Sequence, residues 1–231
     1  MFPIIKFSKK TCALIPLRAG SKGLPGKNKM NFRGKPLYLW TVEQALEVLD
    51  KQDVIILTDD DSIIDNNNPS VCTIPYKRSE ATSSDYASTE SVITEFLCSE
   101  YQALKKYESI VLLQATSPLR RSSTIAEAIH LLDDFDSVLA LSETHKFSWF
   151  KNADGTMSAD YDFRNRPRRQ ELVQKYHETG SLYAFSAAGF SEFQCRLFGR
   201  IGYVMQDEIE SFEIDTLSDF KLLELLGNTY E

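Results

Sequence analysis

The 231-residue chain is poor in cysteine and histidine, with four and three respectively. Cys12, Cys72, Cys98 and Cys195 are widely scattered and form no CxxC pair. That spacing argues against both a disulfide framework and a zinc site. His130, His145 and His177 fall into no HExxH or other ligand pattern and read as structural. No apolar run approaches the roughly 20 residues that span a bilayer. The opening MFPIIKFSKK lacks the small-residue cleavage site of a secretory signal. A soluble, cytoplasmic protein is expected. Excess positive charge is also missing: the net charge of −7 disfavours an extended nucleic-acid surface, which depends on basic residues meeting phosphates. Neither an internal repeat nor a low-complexity segment is present.

What is there is ordinary in bulk and unusual locally. A hydrophobic content of 42% in a chain of this length suits one sizeable core. Positive charge gathers in two islands, PLRAGSKGLPGKN (16–28) and FRNRPRRQ (163–170). Such islands on an acidic background suit small anionic ligands better than a polymer.

Short apolar runs alternate with helical patterns. CALIPL (12–17), DVIILTDD (53–60), SVCTIPY (70–76), SIVLLQ (109–114) and DSVLALS (136–142) read as strands. PLYLWTVEQALEVL (36–49), STESVITEFLCSEYQALKKY (88–107, capped by Ser88) and TIAEAIHLLDD (124–134) read as helices between them. This order predicts an α/β fold with a mainly parallel sheet and helices on both faces. Ligands in such folds sit at the carboxyl ends of the strands. The glycine loop, TDDD (58–61) and QATSPLR (114–120) all follow strands, so they should share one edge. Asp59 to Asp61 are assigned as helix caps. From about Ser142 the pattern changes to a hairpin about Asp154-Gly155, followed by the basic island and the strand GSLYAF (180–185). RIGYVMQ (200–206) and a final helix over 216–227 complete the chain. We read one domain over 1–231, with an inserted β-hairpin arm at about 143–185.

On composition alone, the glycine loop is either a phosphate cradle or a tight structural turn. Exposed backbone N–H groups beside Arg18, Lys22 and Lys27 can hold a polyphosphate. It is not a Walker A loop, because Ser21 stands at the first glycine position and Asn28 at the Ser/Thr position. It is not GxGxxG either, since no glycine lies two residues from Gly20.

The loop closely resembles the signature of the cytidylyltransferases that activate sialic acids, (P)ARGGSKGLPGKN, with Ala19 where Gly is usual. KRSEATSSD, LLQATSPLR, RRQ with a later TGSLY, and EIDT match the same family in the same order, over nearly the whole chain. The loop differs from that of the related octulosonate enzymes. This resemblance implies transfer of CMP from CTP to the anomeric hydroxyl of a nine-carbon α-keto sugar acid, with release of pyrophosphate. It also implies Mg²⁺ and a homodimer built through the arm. Legionaminic, pseudaminic or another acid sugar as substrate, or a non-catalytic nucleotide-binding protein of the same fold, stay open as alternatives.

Carried onto this chain, the resemblance puts Arg18, Gly20, Ser21, Lys22, Gly23, Lys27 and Asn28 on the nucleotide. Arg18, Lys22 and Lys27 would neutralise charge during transfer, with Asp215 as the fourth catalytic residue. Arg78 would read the cytosine edge, since a guanidinium can donate to O2 and N3. Thr89 aligns near the nucleotide. Gln114, Thr116, Ser117, Arg169 and Tyr183 fall to the sugar acid, Arg169 because a guanidinium suits a carboxylate. Thr179 stands where the family has Asn. Glu213 and Asp215 occupy the metal-binding pair, commonly Asp-x-Asp. Residues two apart on an extended segment face one side, and Mg²⁺ takes such oxygen ligands. Thr216 and Asp219 resemble a capping arrangement for the last helix. Pro118 and Arg120 are expected only to shape their loop.

Overall fold

A computed structural model describes residues 7–20, 23–66, 72–171 and 173–227. The chain opens with β1 (Thr11–Leu17), passes the glycine loop and makes the small ribbon β2 (Asn31–Phe32) and β3 (Lys35–Pro36). Then come α1 (Leu37–Leu46), β4 (Val54–Thr58), α2 (Asp61–Asp65), α3 (Glu80–Ser83), α4 (Thr89–Leu97) and α5 (Glu100–Lys105). The second half contains β5 (Ser109–Leu113), α6 (Ser122–Leu131), β6 (Ser137–Thr144) and the hairpin β7 (Trp149–Lys151) with β8 (Met157–Ala159). It closes with β9 (Lys175–Ser186), α7 (Ala187–Phe193), β10 (Ile201–Met205) and α8 (Leu217–Gly227).

Six strands form the central sheet in the order β10-β6-β9-β5-β1-β4. β4, β1 and β5 run parallel, as do β6 and β10, while β9 lies antiparallel between β5 and β6. Period-two alternation divides the core cleanly. Ala13, Ile15, Ile56, Val111 and Leu113 face α1 and α6, whereas Cys12, Leu14, Ile55, Ile110 and Leu112 face α4 and α7. Both faces of the sheet are thus covered by helices, which is why its strands read as continuous apolar runs. A third apolar cluster, with Phe32, Leu37, Leu119, Ile214, Phe220 and Leu223, supports the glycine loop from below.

Two expected elements are altered for local reasons. The helix expected over 88–107 is two helices: Ser99 accepts from the backbone N–H of Gln102 and starts α5 afresh. Ser88 caps α4 as expected, accepting from Ser91 N–H. The strand expected over 70–76 is reduced, in its described part, to isolated bridges pairing Thr73 with Ile55 and Lys77 with Thr58. Pro75 lies between them and has no N–H for the ladder. The hairpin turns at Asp154-Gly155 as expected, with Gly155 at φ +85° and the Asp154 carboxylate accepting from Thr156 N–H at 2.9 Å. It forms its own two-stranded sheet.

Candidate active site

The loops after β1, β4 and β5 meet at the carboxyl edge of the sheet. Ala19 N–H donates to Asp59 Oδ1 at 2.8 Å, which joins the first two loops. Asp60 caps α2 by accepting from Ser62 N–H, and Lys29 lies 2.8 Å from its other oxygen. The loop after β5 is fixed by Gln114 N–H donating to Ser181 O at 3.1 Å. Its Thr116 O accepts from Ile214 N–H at 2.8 Å, which brings in the Glu213–Asp215 segment.

Glycine is required where this segment meets the opening loop. A Cβ on Gly23 would come within 2.8 Å of the Asp215 carbonyl oxygen. On the other side, Gly180 has φ +71°, and a Cβ there would come within 2.8 Å of Glu213 Oε1. Gly180 lies at an irregularity in the β6–β9 pairing, between the partners of Leu139 and Leu141. Such bulges commonly re-aim side chains beside active sites.

Glu213 and Asp215 therefore stand on one extended segment between two glycines. Burial pushes the Glu213 carboxyl up to about 7, and the Asp215 charge adds to the effect; Lys27, Arg120 and a hydrogen bond from Thr116 oppose it. Lys27 Nζ donates to Ile214 O at 2.6 Å and lies 3.1 Å from Asp215 Oδ1. Among the described residues no group of three or more metal-ligating side chains occurs. Two carboxylates whose mutual repulsion raises one of them nonetheless fit Mg²⁺, which needs one or two protein carboxylates plus substrate phosphates.

The other expected residues are distributed around this pair. Arg18 Nη1 lies 3.1 Å from Asp85 Oδ1, and Asn28 Nδ2 approaches Arg18 O at 3.4 Å. Ser21 and Lys22 lie outside the described residues, and Gly20 borders them. Arg78 is buried, its N–H donating to Thr58 O at 2.9 Å and its Nη2 to Thr82 O. Burial lowers its pKa, and Asp59, Glu95 and Arg18 are among the charges that it feels. Its Nε has no hydrogen-bond partner among the described residues. Thr89 opens α4 beside Glu90, whose carboxylate accepts from Arg196 at 2.7 Å. The Arg196 guanidinium in turn lies 4.8 Å from the Tyr183 ring centre. Tyr183 is buried and donates to Glu178, and burial first, then Glu178, pushes its hydroxyl pKa up. Ser117 is buried, and its hydroxyl has no hydrogen-bond partner among the described residues. Arg169 belongs to a short turn on the arm, and its side chain lies outside what is described.

Sequence reasoning missed a cavity of about 800 Å³ at the carboxyl ends of β6 and β10. Ser142, His145, His177, Thr179, Gln206 and Glu213 are among its lining residues. Glu213 also stands beside the glycine loop and the loop after β5, so the two regions adjoin. Its floor is a buried polar chain: Thr179 Oγ1 donates to Gln206 Oε1 at 2.7 Å, and Gln206 Nε2 donates to Ser181 Oγ at 3.2 Å. Glu210, 1% exposed, accepts from Arg121 N–H at 2.9 Å and from Thr124 Oγ1. The available signal was the polar QDE after the RIGYVM strand, at a strand end like the other loops.

A protein-family model described as cytidylyltransferase matches residues 12–229. The chain is 30% identical to an N-acylneuraminate cytidylyltransferase of Streptococcus agalactiae over 96% of its own length, and spans about half of that relative (54%). It is 31% identical to a CMP-N,N'-diacetyllegionaminic acid synthase of Legionella pneumophila, covering 93% of this chain and 94% of the relative. A pseudaminic acid cytidylyltransferase of Campylobacter jejuni is 26% identical, with 94% and 96% covered. Among solved structures, a CMP:2-keto-3-deoxy-manno-octonic acid synthetase complexed with CTP superposes with a TM-score of 0.66 at 19% identity, covering 96% of this chain and all of that one. That likeness concerns the fold. The match along 12–229 assigns the chain to the cytidylyltransferase family of nucleotidyltransferase enzymes.

Proposed function

We propose that the protein transfers CMP from CTP to the anomeric hydroxyl of a nine-carbon α-keto sugar acid of the sialic acid type. The anomeric oxygen forms a bond to the α-phosphorus and gives up its proton to solvent, the bond from the α-phosphorus to the bridging oxygen breaks, and pyrophosphate leaves with that electron pair. The observation that carries this reading is the Glu213–Asp215 pair, held by Lys27, Gly23 and Thr116 beside the glycine loop. Transfer of this kind depends on positioning and charge neutralisation more than on covalent help from the protein.

In this reading Arg18, Lys22 and Lys27, with the loop from Gly20 to Asn28, hold the triphosphate. Arg78 offers its unspent Nε and neighbouring donors to the cytosine edge, and Thr89 borders the nucleotide. Glu213 and Asp215 hold Mg²⁺, which when bound neutralises charge on the phosphates. The polar cavity beside Glu213 receives the sugar acid, with Gln114, Thr116, Ser117, Tyr183 and Arg169 contributing from its surroundings. The legionaminic relative covered over almost its full length supports a second reading, in which that acid is the substrate.

We also place the protein in the cytoplasm as a homodimer joined through the arm at 143–185. Among the described residues no helix is long and apolar enough to cross a membrane. Trp149, Phe150, Met157 and Phe163 are exposed on or beside the hairpin, which favours burial against a second copy. The deciding experiment is pyrophosphate release with CTP and Mg²⁺ across sialic, legionaminic and pseudaminic acids. Release with one of them identifies the substrate; release with none of them, in folded protein, refutes the reading.

A further inference from the structure

Among the described residues Arg120 is the largest fully buried side chain, with 2% of its surface exposed. Its guanidinium reaches three separate elements. Nη1 donates to Ser181 O at 2.6 Å, Ser181 Oγ at 3.2 Å and Gln114 O at 3.3 Å. Nη2 donates to Thr41 Oγ1 and Gln44 Oε1, both at 3.1 Å. Every one of these acceptors is neutral. The nearby carboxylates, Glu210 and Glu213, act on Arg120 through space and hold its charge against a burial that pushes its pKa down to about 9.

Burying an unpaired cation is costly, and an apolar side chain of similar volume would fill the same space at less cost. A guanidinium contributes what an apolar group cannot, several donors in a rigid planar fork. Here the fork joins α1, β9 and the loop after β5. That loop is the one whose Thr116 holds Ile214 N–H at 2.8 Å and bonds the Glu213 side chain. Ile214 O in turn receives Lys27. Hydrogen bonds, joined through the backbone of residues 114–116 and of Ile214, thus connect the Arg120 fork to the carboxylate pair and the glycine loop.

We infer that Arg120 is a positioning residue, whose buried fork sets the loop 114–119 and, through it, the placement of Glu213 and Asp215 against the glycine loop. This inference rests on the reading of that pair as the metal site. Displacements of about 1 Å in such a site can cost a hundredfold in rate, and loss of a group that orients a metal ligand typically costs 10–100-fold in metal affinity.

The test compares Arg120→Lys, which keeps a charge but loses the fork, with the double variant Thr41→Val and Gln44→Leu, which unloads the Nη2 arm together with the Gln44–Pro118 and Thr41–Gln114 hydrogen bonds onto the same loop. The readouts are the Mg²⁺ concentration giving half the CTP-induced rise in melting temperature, and the Mg²⁺ dependence of pyrophosphate release. Asp215→Ala runs beside them. We expect Arg120→Lys to raise the half-saturating Mg²⁺ by about tenfold or more, and the double variant to shift it in the same direction by less. A purely structural role would lower the melting temperature of the ligand-free protein and leave both Mg²⁺ dependences unchanged. Should Arg120→Lys fail to fold, the double variant decides alone, and a wild-type Mg²⁺ dependence there overturns the inference. If Asp215→Ala abolishes the Mg²⁺ response while the clamp variants match wild type, only the Arg120 role falls. If Asp215→Ala keeps a normal response, the metal-site reading falls and this inference falls with it.

Discussion

Lys27 and Asp215 meet at 3.1 Å although 188 positions separate them in the chain. The lysine also donates to Ile214 O at 2.6 Å, and its side chain is only 12% exposed, against 73% for the aspartate. One cation thereby ties the glycine loop to the acidic segment and faces the charge that a metal ion would share. Replacing it with Met should lower pyrophosphate release by about a hundredfold or more, because a pre-organised charge is lost where negative charge gathers. Turnover close to wild type in the folded variant would remove Lys27 from the site.

Asp215→Ala should fold normally, since its exposed carboxylate supports no apolar packing. The capping of α8 is also independent of it: Asp219 accepts from Thr216 N–H at 2.7 Å, and Asp219 N–H donates to Thr216 Oγ1 at 3.2 Å. Steady-state assays across Mg²⁺ concentrations should show almost no metal-dependent pyrophosphate release. Retained activity with an unchanged Mg²⁺ requirement would place the metal elsewhere.

The carboxyl of Glu213 sits at about 7, above its usual 4.5, because burial and Asp215 disfavour its charge. The folded state then holds the proton more tightly than the unfolded state, so stability falls as pH rises from about 4.5 through 7. In chelator-treated protein, Glu213→Gln should therefore melt a few degrees above wild type at pH 8 and alongside it near pH 4.5. A lower melting temperature for the variant at pH 8 would show that the charged carboxylate is stabilised by its surroundings instead.

Nucleotide choice tests Arg78. Cytosine presents an acceptor at N3 where uracil presents a donor, so a guanidinium at that edge favours CTP. Relative kcat/KM should favour CTP over UTP by about a hundredfold or more, and Arg78→Met should erase most of that preference. An undiminished preference in a folded variant would assign the reading to another residue.

If the arm joins two copies, light scattering should give the mass of two 26.3 kDa chains at micromolar concentration. Substituting Trp149→Asp and Phe150→Asp together should then yield monomer, since both rings are exposed in the single chain. A wild-type monomer would refute the proposed role of the arm.

Local chemistry determined much of this protein by sequence alone. Continuous apolar runs in 12–17 and 109–114 predict buried strands, because a strand covered on both faces is apolar at nearly every position. The glycines and cations of 16–28 mark a candidate anion loop, and the 213/215 spacing brings two carboxylates to one side of an extended segment. Tertiary structure decided what depends on partners far along the chain. The antiparallel insertion of β9 places Ser181 beside the loop after β5, and only that placement turns Arg120 from a loop residue into a buried clamp. The cavity floor of Thr179, Gln206 and Glu210 arises likewise, from the adjacency of β9, β6 and β10. Burial raises the Glu213 carboxyl most, Asp215 adds to it, and Lys27 and Arg120 oppose it; of these only Asp215 is a neighbour in sequence.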